Sequence, residues 1–108
     1  MTKELEKDIQ NAICEYLTIK KHYFWRTNNI PVFDPRKKVF HKMPKYSIGG
    51  VSDLILLKNG VAYFLEVKRL EPKTYQTADQ KEFEKNVKSN GCIYKVVRSV
   101  DDVRLLGF

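Results

Sequence analysis

Apolar side chains at Leu5, Ile9, Ala12, Ile13, Tyr16 and Leu17 recur at steps of three and four, which predicts an amphipathic helix over residues 2–19. Its apolar stripe needs a sheet or another helix beneath it. The short aromatic run at residues 23–27 has strand propensity and is followed by Asn28 and Asn29, which favour a turn. Val32 and Phe33, then Val39 and Phe40, flank a polar stretch from Asp34 to Lys37 and predict an exposed hairpin. Two further apolar runs, residues 51–57 and 61–68, are joined through Asn59-Gly60, a strong short-range hairpin signal. Both runs are apolar on both faces, so their sheet should be covered on two sides, with helices as the cover.

Thr77 followed by Gln80 makes a capping-box pattern at the head of a helix that runs to about residue 90, with Phe83 and Val87 on its inner stripe and Gly91 as its end. Residues 92–97 predict another strand, and Ser99 with Asp102 can cap a short last helix carrying Val103, Leu105 and Leu106. The expected order is helix, three or four strands, helix, strand, short helix. The crossover from the strand of Glu66 to that of Cys92 is long enough for parallel pairing. The fold class is therefore α/β, a mixed central sheet flanked by helices.

A chain of 108 residues with 43% hydrophobic residues supports one compact domain over residues 1–108 and argues against disorder. Cys14 and Cys92 stand far apart with no Cys/His spacing, so neither a disulfide framework nor a structural zinc site is expected. The N-terminus is charged where a secretory signal needs an apolar run, and no stretch approaches the ~20 apolar residues of a membrane span. The expectation is a cytoplasmic, intracellular protein without a membrane partner.

Charge changes the picture more when it is located than when it is summed. The net charge is +7, and residues 20–46 hold eight basic side chains (Lys20, Lys21, Arg26, Arg36, Lys37, Lys38, Lys42, Lys45) against Asp34 alone. One quarter of the chain carries the entire excess. Aromatic residues interleave with it, a mixture suited to phosphate contacts with base or sugar packing; a solvated basic hairpin whose aromatics face its own core has the same composition.

Asp53, Glu66 and Lys68 interrupt the two most apolar strands, where ionised groups persist only if paired, bound to metal or engaged in chemistry. Glu66 and Lys68 are two apart, so they emerge on one face, about 6.5 to 7 Å from each other. With Leu57 to Val61 closing the Asn59-Gly60 hairpin, Asp53 falls roughly opposite Glu66. Two carboxylates brought together repel, and a divalent cation keeps both ionised; a nearby Lys can hold or activate a water. An edge ion pair of Lys68 with Glu66 or Asp53 is the purely structural alternative. His22 and His41 have no partner at ligand spacing and read as solvated or phosphate-contacting.

Gly50-Val51-Ser52-Asp53, then Glu66-Val67-Lys68, then Gln80 and Gly91, resemble the PD-(D/E)XK nuclease superfamily and, within it, the VRR-Nuc family in its stand-alone, viral or phage form. The resemblance covers nearly the whole chain. It implies a restriction-endonuclease-like core with a basic hairpin inserted. It also implies a Mg²⁺ or Mn²⁺ site made by Asp53, Glu66, the carbonyl of Val67 and a Glu on the first helix, with Lys68 helping to activate the attacking water and Gln80 supporting the site. Glu4 and Glu6 are both available on that helix; Glu6 is preferred on its spacing, three residues before Ile9. The Pro usual before the Asp is Ser52 here. Glu6 and Gln80 each keep a bland alternative, as a first-turn acid and as the capping partner of Thr77.

The implied activity is metal-dependent, structure-selective DNA endonuclease chemistry, as in Holliday junction or flap resolution during replication and repair. Arg26, Arg36, Lys37, Lys38, Lys42 and Lys45 would hold the backbone. A homodimer is implied by the need to cut two strands. A non-catalytic nucleic-acid-binding module, or a nuclease acting on RNA, are the alternatives.

Overall fold

A computed structural model of the chain describes residues 5–27, 33–34, 39–40 and 45–108. Helix α1 (Glu6–Ile19) leads, with Leu5 as a cap lacking a side-chain bond and Glu6 and Asp8 in the first turn, where carboxylates favour the helix dipole. Ile9, Ile13 and Leu17 form its buried stripe. Ala12 is exposed, because one residue before Ile13 lies about 100° off that stripe. Residues 2–4 of the expected helix lie outside the described residues.

Strand β1 (Tyr23–Arg26) follows, then a separate two-stranded ladder of β2 (Phe33–Asp34) and β3 (Val39–Phe40), then β4 (Leu54–Lys58) and β5 (Val61–Val67). Helix α2 (Ala78–Ser89), strand β6 (Ile93–Val97) and helix α3 (Val100–Leu105) complete the order. Among the described residues five strands thus precede α2, where three or four are expected. The main sheet runs β1-β4-β5-β6. β1 and β5 pair antiparallel with β4, and β6 pairs parallel with β5 after the α2 crossover. The result is a mixed α/β fold, and no helix among the described residues is long and apolar enough to cross a membrane.

Alternation along the strands divides the core in two. Leu54, Leu56, Leu65, Val67 and Val97 join the α1 stripe with Val103 and Phe108 on one face. On the other face Phe83 and Val87 of α2 pack with Tyr94, Phe64 and Val96. The two cysteines fall on opposite faces, Cys14 against the first cluster and Cys92 against the second. The hairpin between β4 and β5 closes with Lys58 opposite Val61, and Asn59 and Gly60 take positive φ of 52° and 78°, the pair of values a two-residue turn of this twist demands.

Candidate functional site

Register carries Asp53 and Glu66 to one place. Leu54 pairs with Leu65, so Asp53 stands one step beyond β4, opposite Glu66. Its carboxylate oxygen Oδ2 accepts the Val67 N–H at 2.7 Å, and its backbone carbonyl accepts the Thr27 N–H at 3.0 Å. Ser52, standing where the resembled family has Pro, is fully buried; its hydroxyl donates to the Leu54 carbonyl at 3.2 Å and its carbonyl accepts the Thr27 hydroxyl. Asp53 is therefore fixed from both neighbouring strands.

Along β5, Leu65 and Val67 enter the α1 core, which leaves Phe64, Glu66 and Lys68 for the opposite face. Glu66 is only 2% exposed and Lys68 6%. Glu66 Oε1 accepts from Gln80 Nε2 at 3.0 Å and lies 3.9 Å from Lys68 Nζ. Glu66 Oε2 is buried and has no hydrogen-bond partner among the described residues. Burial pushes the Glu66 carboxyl up to about 8; the neighbouring Asp53 carboxylate pushes the same way, Lys68 opposes them, and Glu6 adds a smaller upward push.

Gln80 reaches Glu66 because the start of α2 is pressed against the loop before β4. A Cβ on Gly50 would lie 2.4 Å from the Asp79 carbonyl group and 2.7 Å from the Gln80 nitrogen, and its φ of +75° also favours glycine. The Thr77 hydroxyl accepts the Gln80 N–H at 3.2 Å, and Gln80 Oε1 accepts the Thr77 N–H at 2.9 Å. Capping and support of Glu66 are thus performed by opposite ends of one amide.

Glu6 is placed at the rim of this group. Its Oε2 accepts the Thr74 hydroxyl and the Arg69 N–H, the latter at 3.2 Å. The loop that brings Thr74 there is closed by Thr74 N–H to the Arg69 carbonyl at 3.1 Å and is tied to β6 by Arg98, whose Nη1 donates to the carbonyls of Arg69 and Thr74 at 2.8 Å each. Neither Thr74 nor Arg98 is singled out by the sequence reading. Among the described residues no three His, Cys, Asp or Glu side chains stand together at metal-holding distances. Of the expected ligand set, Asp53 and Glu66 come together while Glu6 is engaged by the loop of Arg69 and Thr74.

No family model, curated protein or solved structure matches the chain.

The basic positions divide. Arg26 is exposed, and alternation sets it on the α1 side of β1, near enough to Cys14 for its charge to act on that thiol. Lys45 is exposed, with Nζ 5.4 Å above the Tyr46 ring. Arg36, Lys37, Lys38 and Lys42 lie outside the described residues, as do Glu4 and His41. His22 packs edge-on to Phe108 at 5.4 Å, its pKa lowered by burial and by Lys58 and Lys20.

Proposed function

We propose that the chain is a metal-dependent phosphodiesterase of the VRR-Nuc type, with a restriction-endonuclease-like core, that cuts branched or otherwise structured DNA. The observation that carries this reading is Glu66: a carboxyl 2% exposed, beside Asp53, with one oxygen lacking any partner among the described residues. A buried acid that gains nothing from its second oxygen and is repelled by its neighbour destabilises the fold once ionised, unless a cation meets it. That donor set suits a hard divalent ion such as Mg²⁺ or Mn²⁺. Asp53 and Glu66 would hold it, with the carbonyl of Val67 and, after leaving Thr74, Glu6 completing the set. When bound, such an ion supplies a water of lowered pKa and charge stabilisation at the phosphate.

The chain's own residues do the rest. Gln80 holds Glu66 in one orientation, and the Val67 N–H does the same for Asp53. Lys68, 6% exposed and 3.9 Å from Glu66, supplies a fixed positive charge that can orient an attacking water and offset charge developing on the phosphate. The excess charge of residues 20–46 supplies backbone affinity without a base code, so selectivity falls on nucleic-acid structure. A homodimer would present two such sites to two strands.

A second reading, a nucleic-acid-binding module without catalysis, draws on the engagement of Glu6 by Thr74 and Arg69, which withholds the third carboxylate. The two are separated by incubating the protein with labelled four-way junction, flap, linear duplex and an RNA duplex in Mg²⁺, Mn²⁺ or EDTA. Metal-dependent cutting of the branched DNA supports the nuclease, cutting of the RNA moves the substrate class, and tight binding without cutting in any metal supports the module.

A further inference from the structure

Register places Trp25 on the same sheet face as the carboxylates. Trp25 pairs with Ile55, Ile55 with Phe64 and Phe64 with Tyr94, and the last two belong to the cluster under α2. Asp53 and Glu66 lie on that face two residues further along β4 and β5, which sets them about 8 Å and about 12 Å from Trp25 across the sheet. Helix α2 packs over the β6 side of the sheet, whereas among the described residues no helix packs over β1 on this face. Tyr23 is 71% and Trp25 43% exposed, with their rings 6.2 Å apart at 78°. Two large aromatics left side by side in water mark a contact surface.

The charge around β1 says what kind of partner fits. The strand lies inside the segment that carries the whole +7 excess, and exposed Lys20 and Lys21 stand at its start, Arg26 at its end being turned to the α1 side. An aromatic surface set among cations suits a polyanion that also offers π-faces, which is a nucleic-acid strand. In a duplex those π-faces are already stacked, so an aromatic platform rewards an unpaired base. We infer that Trp25, buttressed edge-on by Tyr23, is a stacking platform for an unpaired base whose strand runs on to the Asp53–Glu66 pair. The platform thereby selects single-stranded or branched over fully paired nucleic acid. This deepens the nuclease reading by naming what its substrate must present, and the word substrate rests on that reading.

Trp25 is the one tryptophan of the chain, so its emission reports this face alone. The experiment titrates the full chain in EDTA with oligothymidylate and with a blunt hairpin duplex, reading Trp25 emission together with the anisotropy of labelled oligonucleotide. Strong quenching by the single strand and weak quenching by the duplex are expected. Trp25→Ala should weaken single-strand affinity about 10-fold or more while changing duplex affinity less than about twofold, and Trp25→Phe, which keeps a ring and the fold, should recover most of the loss. Single-strand binding that leaves the emission unchanged overturns the proposal, as does equal weakening of both ligands, or no oligonucleotide binding at all. Emission that instead follows protein concentration assigns the face to a second copy and also overturns it. Because no metal is present, quenching in a protein that never cuts would leave the platform standing while the nuclease reading fell.

Discussion

Gln80 donates to Glu66 at 3.0 Å with one end of its amide and accepts the Thr77 N–H at 2.9 Å with the other, so the cap of α2 and the orientation of the buried acid are a single arrangement. Gln80→Ala is expected to lower stability by about 1 kcal/mol through the lost capping box. Gln80→Glu keeps an acceptor for the Thr77 N–H and should recover much of that stability, yet it sets a further carboxylate against Glu66 and should not recover cleavage. Urea denaturation and a junction-cleavage assay on both variants check the split; equal recovery of both by Gln80→Glu would mean that Gln80 only caps.

Burial and Asp53 raise the Glu66 carboxyl to about 8, and the sign of the consequence is fixed. An acid whose folded pKa lies above its unfolded value binds more protons when folded. Its contribution to stability is therefore full below the ordinary carboxylate range and is lost as pH rises through about 8. In EDTA the wild-type urea midpoint should fall between pH 5 and about 9, and Glu66→Gln should flatten most of that fall. A variant with the same pH dependence as wild type would place the titration elsewhere.

Close approach at Gly50 gives a prediction free of charge. Gly50→Ala drives a Cβ to 2.4 Å from the Asp79 carbonyl group and puts an L-residue at φ +75°, so α2 must shift or the loop must strain. A loss of about 2 kcal/mol or more is expected, together with weaker protection of the Gln80 N–H in hydrogen exchange. An unchanged denaturation curve would show that the loop yields without moving the helix.

What the sequence made legible followed from local rules. The Asn59-Gly60 turn located the hairpin and brought Asp53 roughly opposite Glu66, although the closing pair is Lys58 with Val61 where a closure of Leu57 on Val61 is expected; period two put Glu66 and Lys68 on one face; Thr77 and Gln80 announced the start of α2. Charged residues in otherwise apolar strands marked the site. Illegible were contacts between residues far apart in the chain. Glu6 meets Arg69 and Thr74 across separations of 63 and 68 residues, and nothing in the loop of Thr74 signals that its hydroxyl will hold a helix carboxylate. Arg98 follows an apolar strand much as Lys68 does, but its partners are backbone carbonyls, which leave no trace in a pattern of side chains. Ala12 belongs to the apolar pattern of α1 by residue type, yet the helical period turns it outward.

The central claim, that Asp53 and Glu66 form a metal-dependent hydrolytic centre, is tested most directly with Asp53→Asn, which preserves size and removes the charge. Single-turnover cleavage of a labelled four-way junction in Mg²⁺ or Mn²⁺ should fall about 100-fold or more, while junction affinity measured in EDTA stays within about twofold of wild type. Cleavage that survives the substitution, or cleavage and binding lost together in a folded variant, would contradict the account.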